Sequence, residues 1–182
     1  MTLLNHLRLM AKYNQWMNQS LYEAAAKLPE EKLKEDKQAF FGSVIGTLNH
    51  ILVADIIWLK RFALHPAKHL SLEPIRLVEP PNALDQILYA SFEELYPQRI
   101  KLDEIIINWC NELCEEDICY LLPYKRMNGE SNIKVLGSLV LHFFNHQTHH
   151  RGQVTTLLSQ EGIDVGVTDL LMLIPNETGL LV

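Results

Sequence analysis

Apolar side chains recur at the spacing of an α-helix along most of this 182-residue chain, and that period limits the fold more than any other feature. In residues 2–28, Leu3, Leu7, Met10, Asn14, Met17, Leu21 and Ala25 fall on one face of a helix with about 3.6 residues per turn. Pro29 ends this segment, and the charged connector EEKLKEDKQ follows. Residues 40–62, FFGSVIGTLNHILVADIIWLKRF, are apolar on nearly all sides. That is the pattern of a helix buried on more than one face, between neighbours or at a subunit contact. A proline-bearing connector of irregular structure is expected from His65 to Pro81. A third helix is expected over Ala83–Cys114, kinked or split at Pro97, because proline lacks an amide proton and crowds the preceding turn.

Residues 118–134 change character. Aromatic and β-branched positions surround Asn128-Gly129, which predicts a hairpin, a small exposed ribbon. A fourth helix is expected from about Val135 to Glu161, closed by Gly162. The tail, 163–182, carries the apolar run Leu170–Ile174, which must lie against the helices or a partner. Together these segments predict an all-α fold: a four-helix bundle with a small β-hairpin before the last long helix, in a single domain spanning 1–182.

Composition narrows the function. A hydrophobic content of 48% with 21% charged residues is ordinary for a globular protein. The net charge of −6, with no Lys/Arg block, argues against nucleic acid as a partner. The most apolar stretches, Ile51–Leu59 and Val135–Phe144, are too short for a membrane span and are interrupted by Asp55 and His142. Cys110, Cys114 and Cys119 are odd in number and form no C-x-x-C. With no signal peptide read at the start, reduced thiols in a cytoplasm are expected.

Chemistry concentrates in HFFNHQTHHRGQ, residues 142–153, which holds His142, His146, His149 and His150. His146 and His150 stand four apart, one helical turn, so both imidazoles can reach one metal ion. The spacing alone also fits a solvated or packed pair. Helical phase discriminates further: with His146 at zero and about 100° per residue, Leu139 and Leu157 fall near 20° and Phe143 near 60°. His150 then lies at about 40°, inside the apolar stripe, whereas His142 and His149 fall outside it near −40° and −60°. Two inward imidazoles need partners, supplied either by a metal or by carbonyls and water. Di-iron bundles use Glu-x-x-His, and no Glu here has a His three residues later, which argues against that class.

A second segment must supply any third ligand. The candidates are His6, His50, His65, His69 and many carboxylates; His65 and His69 also stand four apart, but Pro66 disfavours a helical pair. His50 lies within the nearly all-apolar helix, where a satisfied core histidine is the competing explanation. The sequence resembles the DinB family of metal-dependent bundle proteins over nearly its whole length. The resemblance is carried by YNQWMN at 13–18, by residues 40–62, by NHQTHHRGQ at 145–153 and by VTDLL at 167–171. It implies a metal triad of His50, His146 and His150. Neutral nitrogen ligands would accept zinc, nickel or iron(II), and the nearly all-apolar second helix together with the resemblance predicts a homodimer.

Three neutral nitrogens leave coordination positions open, as catalytic sites do. The resemblance further implies a transferase or isomerase that uses a low-molecular-weight thiol, with a small-molecule substrate. Two alternatives stay open: a non-catalytic metal- or small-ligand-binding stress-response protein, and a helical interaction protein without metal. Asn49, Asp55, Asn145, Gln147 and Gln153 are candidates to orient the imidazoles. Arg151 is read either as an anion-binding residue or as a solvent-facing or carboxylate-paired one.

Overall fold

Thr2 opens the first helix, its hydroxyl accepting the Asn5 amide at 3.3 Å, and α1 runs Leu3–Ala25. The computed structural model describes residues 2–176; the rest of the expected tail, 177–182, lies outside the described residues. Pro29 caps a five-residue helix, α2 (Glu30–Lys34), inside the segment expected to be a charged connector. Five residues cannot hold a helix alone; Leu33, 1% exposed, anchors this one in the core.

The next helix, α3, spans Val44–Phe62 rather than beginning at residue 40. Ser43 Oγ accepts the Gly46 amide at 3.0 Å. Every α3 residue except Trp58, Lys60 and Arg61 is buried. The chain's own elements cover this helix, so its apolar character does not by itself require a partner.

The 65–81 connector is more ordered than expected. It contains a 3₁₀ turn, Leu70–Leu72, and α4, Glu73–Leu77. The third long helix, α5, covers Phe92–Glu112, so its expected start at Ala83 is corrected to residue 92. Asn49 explains the difference. Its Oδ1 accepts the amides of Leu88 and Tyr89 at 2.9 and 3.0 Å, and its Nδ2 donates to Tyr89 O at 2.9 Å. These bonds occupy backbone groups that a helix would need. Pro97 does not split α5. It lies in the second turn, on the exposed side with Glu93, whose freed carbonyl can meet water.

A short helix, α6 (Glu115–Cys119), leads into a two-stranded antiparallel ribbon of β1 (Leu121–Lys125) and β2 (Ser131–Val135). Gly129 takes φ +84° at its turn. The ribbon is less exposed than expected, because Leu122 and Tyr124 on β1 are buried. The last helix, α7, runs Leu136–Gln160 directly from β2. It ends with Gly162 at φ +77°, where Gly162 N donates to Ser159 O and Ile163 N to Leu158 O, both at 3.0 Å. This is the paired closure that a glycine beyond a helix end permits.

The described residues are thus mostly helical, with seven α-helices and one small sheet before the last long helix. The helix α1 packs on α5 and α7, and α3 packs on α7. No helix among them is long and apolar enough to cross a membrane. The tail's run forms a 3₁₀ turn, Leu170–Leu173, held near α1 by Tyr13 Oη donating to Thr168 O at 2.6 Å. Leu171 and Met172 are nonetheless exposed.

Candidate metal centre

Helix α3 carries His50 and α7 carries His146 and His150 to one point. His50 Nε2 lies 3.2 Å from His150 Nε2, and His150 Nε2 lies 3.1 Å from His146 Nε2. His50 and His150 are buried and His146 is partly so. His142 and His149 are exposed, as the helical phase predicts.

Hydrogen bonds fix the tautomers. His50 Nδ1 lies 2.7 Å from the carbonyl of Leu84, which only accepts, so Nδ1 carries the proton and the neutral ring's Nε2 carries a lone pair. Likewise His150 Nδ1 donates to Gln153 Oε1 at 2.7 Å, which leaves a lone pair on its Nε2. Two lone pairs therefore face each other across 3.2 Å. No proton of their own can join them, whereas a cation can. Burial is the first cause that keeps the rings neutral: it lowers the pKa of His50 and His150. Burial, reinforced by the neighbouring imidazoles, pushes His146 down to about 3. Neutral, correctly protonated nitrogen is what a divalent metal needs, and the residues present fit one. The three form a group able to hold a metal ion.

Phe41 stacks on the His50 ring with centroids 3.8 Å apart and planes 16° from parallel, and meets His150 edge-on at 5.6 Å. Beside the histidines opens a cleft of about 360 Å³ lined by His50, His146, Trp58, Arg61, Leu84 and the hairpin tip, Arg126–Asn128. Arg61 is held over the Trp58 and Tyr124 rings at 4.6 and 5.2 Å, and no carboxylate pairs with it among the described residues.

Of the polar residues expected to orient the imidazoles, Gln153 does so directly. Asn49 acts one step removed, by anchoring the loop that presents Leu84. Asp55 instead pairs with Arg99 at 2.5 Å, Gln147 is buried near Arg151, and Asn145 is exposed. Arg151 is neither solvent-facing nor carboxylate-paired. It is 3% exposed, donates to Asn14 Oδ1 and Thr148 Oγ1 and lies over the Tyr13 ring. It therefore cannot meet a substrate in the cleft. His6 takes no part, and His65 and His69 come together elsewhere. The Leu84 carbonyl and the Phe41 stack escaped the sequence, since a backbone oxygen carries no signature.

Fold and site together define a helical protein with a candidate three-histidine metal centre between its second and last long helices. The chain belongs to the DinB family, whose sequence model matches residues 2–178. It is similar to Protein DinB of Bacillus subtilis (strain 168), with 29% identity over 160 residues, 87% of each chain. No solved structure matches it.

Proposed function

We propose that this chain is a metal-dependent enzyme whose divalent cation is held by His50, His146 and His150, and that it transfers or isomerises a group with a low-molecular-weight thiol as co-substrate. The observation that carries this reading is the convergence of three imidazole nitrogens at 3.1–3.2 Å beside an open cleft, those of His50 and His150 free of protons. A three-histidine set leaves exchangeable positions, unlike a closed structural site. A cation held there lowers the pKa of a bound water or thiol and polarises a carbonyl. Zinc, nickel and iron(II) all suit neutral nitrogen donors.

The chain's own residues supply the rest. Gln153 and the Leu84 carbonyl hold two imidazoles in register, and Phe41 shields one face of His50 from water. Arg61, without a carboxylate partner, offers charge to an anionic group such as the carboxylate of a thiol. We further propose a four-helix bundle built from α1, α3, α5 and α7, a single domain over 1–182 and a cytoplasmic location. A homodimer is also proposed, supported by the exposed Leu171 and Met172; sedimentation should then find twice the 21.0 kDa chain mass.

Elemental analysis of untagged protein tests the metal. Wild type should carry about one equivalent at this site, and His50→Ala or His146→Ala should lose it. Metal-loaded protein should then consume thiol in the presence of an electrophile, and the same alanine variants should not. Metal binding without any turnover would favour the alternative, a stress-response binding protein.

A further inference from the structure

A second set of metal-ligand side chains lies where the loop leaving α3 meets α6. His65 and His69 belong to that loop, Asp117 to α6, and all three are buried, at 6%, 8% and 6% exposure. Asp117 has no Lys or Arg partner among the described residues; its ion-pair contacts are with the two imidazoles alone. We propose that His65, His69 and Asp117 form a second, structural site for a divalent cation, zinc being the best chemical match.

Hydrogen bonding alone does not satisfy this cluster. His65 Nδ1 accepts the Ala67 amide at 3.2 Å, so it carries a lone pair, yet it also faces Asp117 Oδ1 at 3.7 Å. Two acceptors thus confront each other in a buried place with no proton between them. His69 Nε2 lies 3.1 Å from Asp117 Oδ2. The outer nitrogens, His65 Nε2 and His69 Nδ1, are buried without any hydrogen-bond partner. The Nε2–H of His65 therefore finds no acceptor and His69 Nδ1 no partner, so both rings stay half satisfied.

The separations suit a cation. His65 Nδ1 lies 3.7 Å from Oδ1 of Asp117 and His69 Nε2 lies 3.1 Å from its Oδ2, each near the roughly 3.4 Å that separates ligand atoms about 2.1 Å from a tetrahedral zinc, although to different oxygens of the one carboxylate. One donor atom from each of the three residues falls within 4.8 Å of the others. Two imidazoles and one carboxylate favour zinc over calcium or magnesium, which take oxygen ligands. A divalent charge would also neutralise the buried carboxylate. The carboxylate is already oriented, because Cys114 N donates to Asp117 Oδ2 at 2.9 Å. Tyr120 packs edge-on against His65, centroids 4.5 Å apart, and closes one side.

Position gives the site its purpose. It would tie the exit of α3 to α6, which leads through Tyr120 into the hairpin whose tip borders the cleft. The cation would hold the root of that hairpin, distinct from the three-histidine centre and independent of it.

Chelator-stripped, untagged protein exchanged against zinc chloride and freed of excess by gel filtration gives the count. Two equivalents are expected for wild type, one for a His65→Ala/His69→Ala variant, and one for a His50→Ala/His146→Ala/His150→Ala variant. A wild-type count of one that vanishes in the triple variant would overturn the second site and leave the first standing. Should the His65/His69 variant fail to fold, the triple variant decides alone. Its melting temperature should rise on adding zinc chloride, and the absence of both a rise and a bound equivalent would sink the proposal.

Discussion

At the residue scale, His50 and His150 are fixed by what lies behind them. Each spends its Nδ1 proton on an oxygen, Leu84 O or Gln153 Oε1, both at 2.7 Å. Removing such an outer partner commonly lowers metal affinity by about 10–100-fold. Gln153→Ala should fall in that range in a competition titration against a chromogenic chelator, with metal stoichiometry unchanged; an unaltered affinity would mean the ring is held by other contacts. The depressed histidines also make an acid prediction. Folded His146 holds its proton only near pH 3, against an ordinary value of 6.5. Burial shifts His50 and His150 the same way. The unfolded chain therefore binds more protons between those limits, and stability falls as pH drops below about 6.5. The urea midpoint of metal-free protein should be lower at pH 5 than at pH 7.5, and the difference should shrink in His146→Gln.

Among the elements, the start of α3 controls the approach of Phe41 to the site. Gly46 passes so close to the preceding chain that a Cβ there would lie 2.1 Å from the Phe41 carbonyl oxygen. Gly46→Ala must push that segment away, and with it the ring stacked on His50. Overpacking of this kind costs roughly 1–3 kcal/mol, which thermal melting would register, accompanied by weaker metal binding. A variant as stable as its parent would show that the segment yields freely. The five-residue helices obey a different logic. Periodicity cannot find α2, α4 or α6, because each is barely more than one turn long. They persist because Leu33, Ile75 and Ile118 are buried, a matter of tertiary packing rather than propensity.

For the molecule as a whole, one buried polar network joins all four long helices. Arg99 of α5 lies 2.5 Å from Asp55 of α3 and 2.9 Å from Asp103. Asp103 accepts from Asn14 and Asn18 of α1 at 3.1 and 2.9 Å, and Arg151 of α7 donates to Asn14. Two arginines face two aspartates, and burial raises the pKa of both carboxyls, that of Asp55 to about 7. Since Arg151 follows His150 directly, the network also sets the rotation of α7 and so the aim of its histidines. Breaking a buried pair by removing one partner costs about 3–5 kcal/mol. Arg99→Leu should lower the denaturation free energy by that amount; a loss below about 1 kcal/mol would show that packing, not the network, aligns the helices.

Local spacing was enough to locate the four long helices, apart from the starts of α3 and α5, together with the ribbon, the stop at Gly162 and the pair His146 and His150. All of these are written in local spacing, where neighbours along the chain are neighbours in space. His50 was one of several candidates by spacing, and resemblance to a family singled it out. Only the tertiary structure brought His50 to His150, set the Leu84 carbonyl behind it, buried Arg151 among amides and gathered His65, His69 and Asp117. Those meetings join residues tens of positions apart, and they depend on how helices rotate and pack rather than on any period the chain repeats.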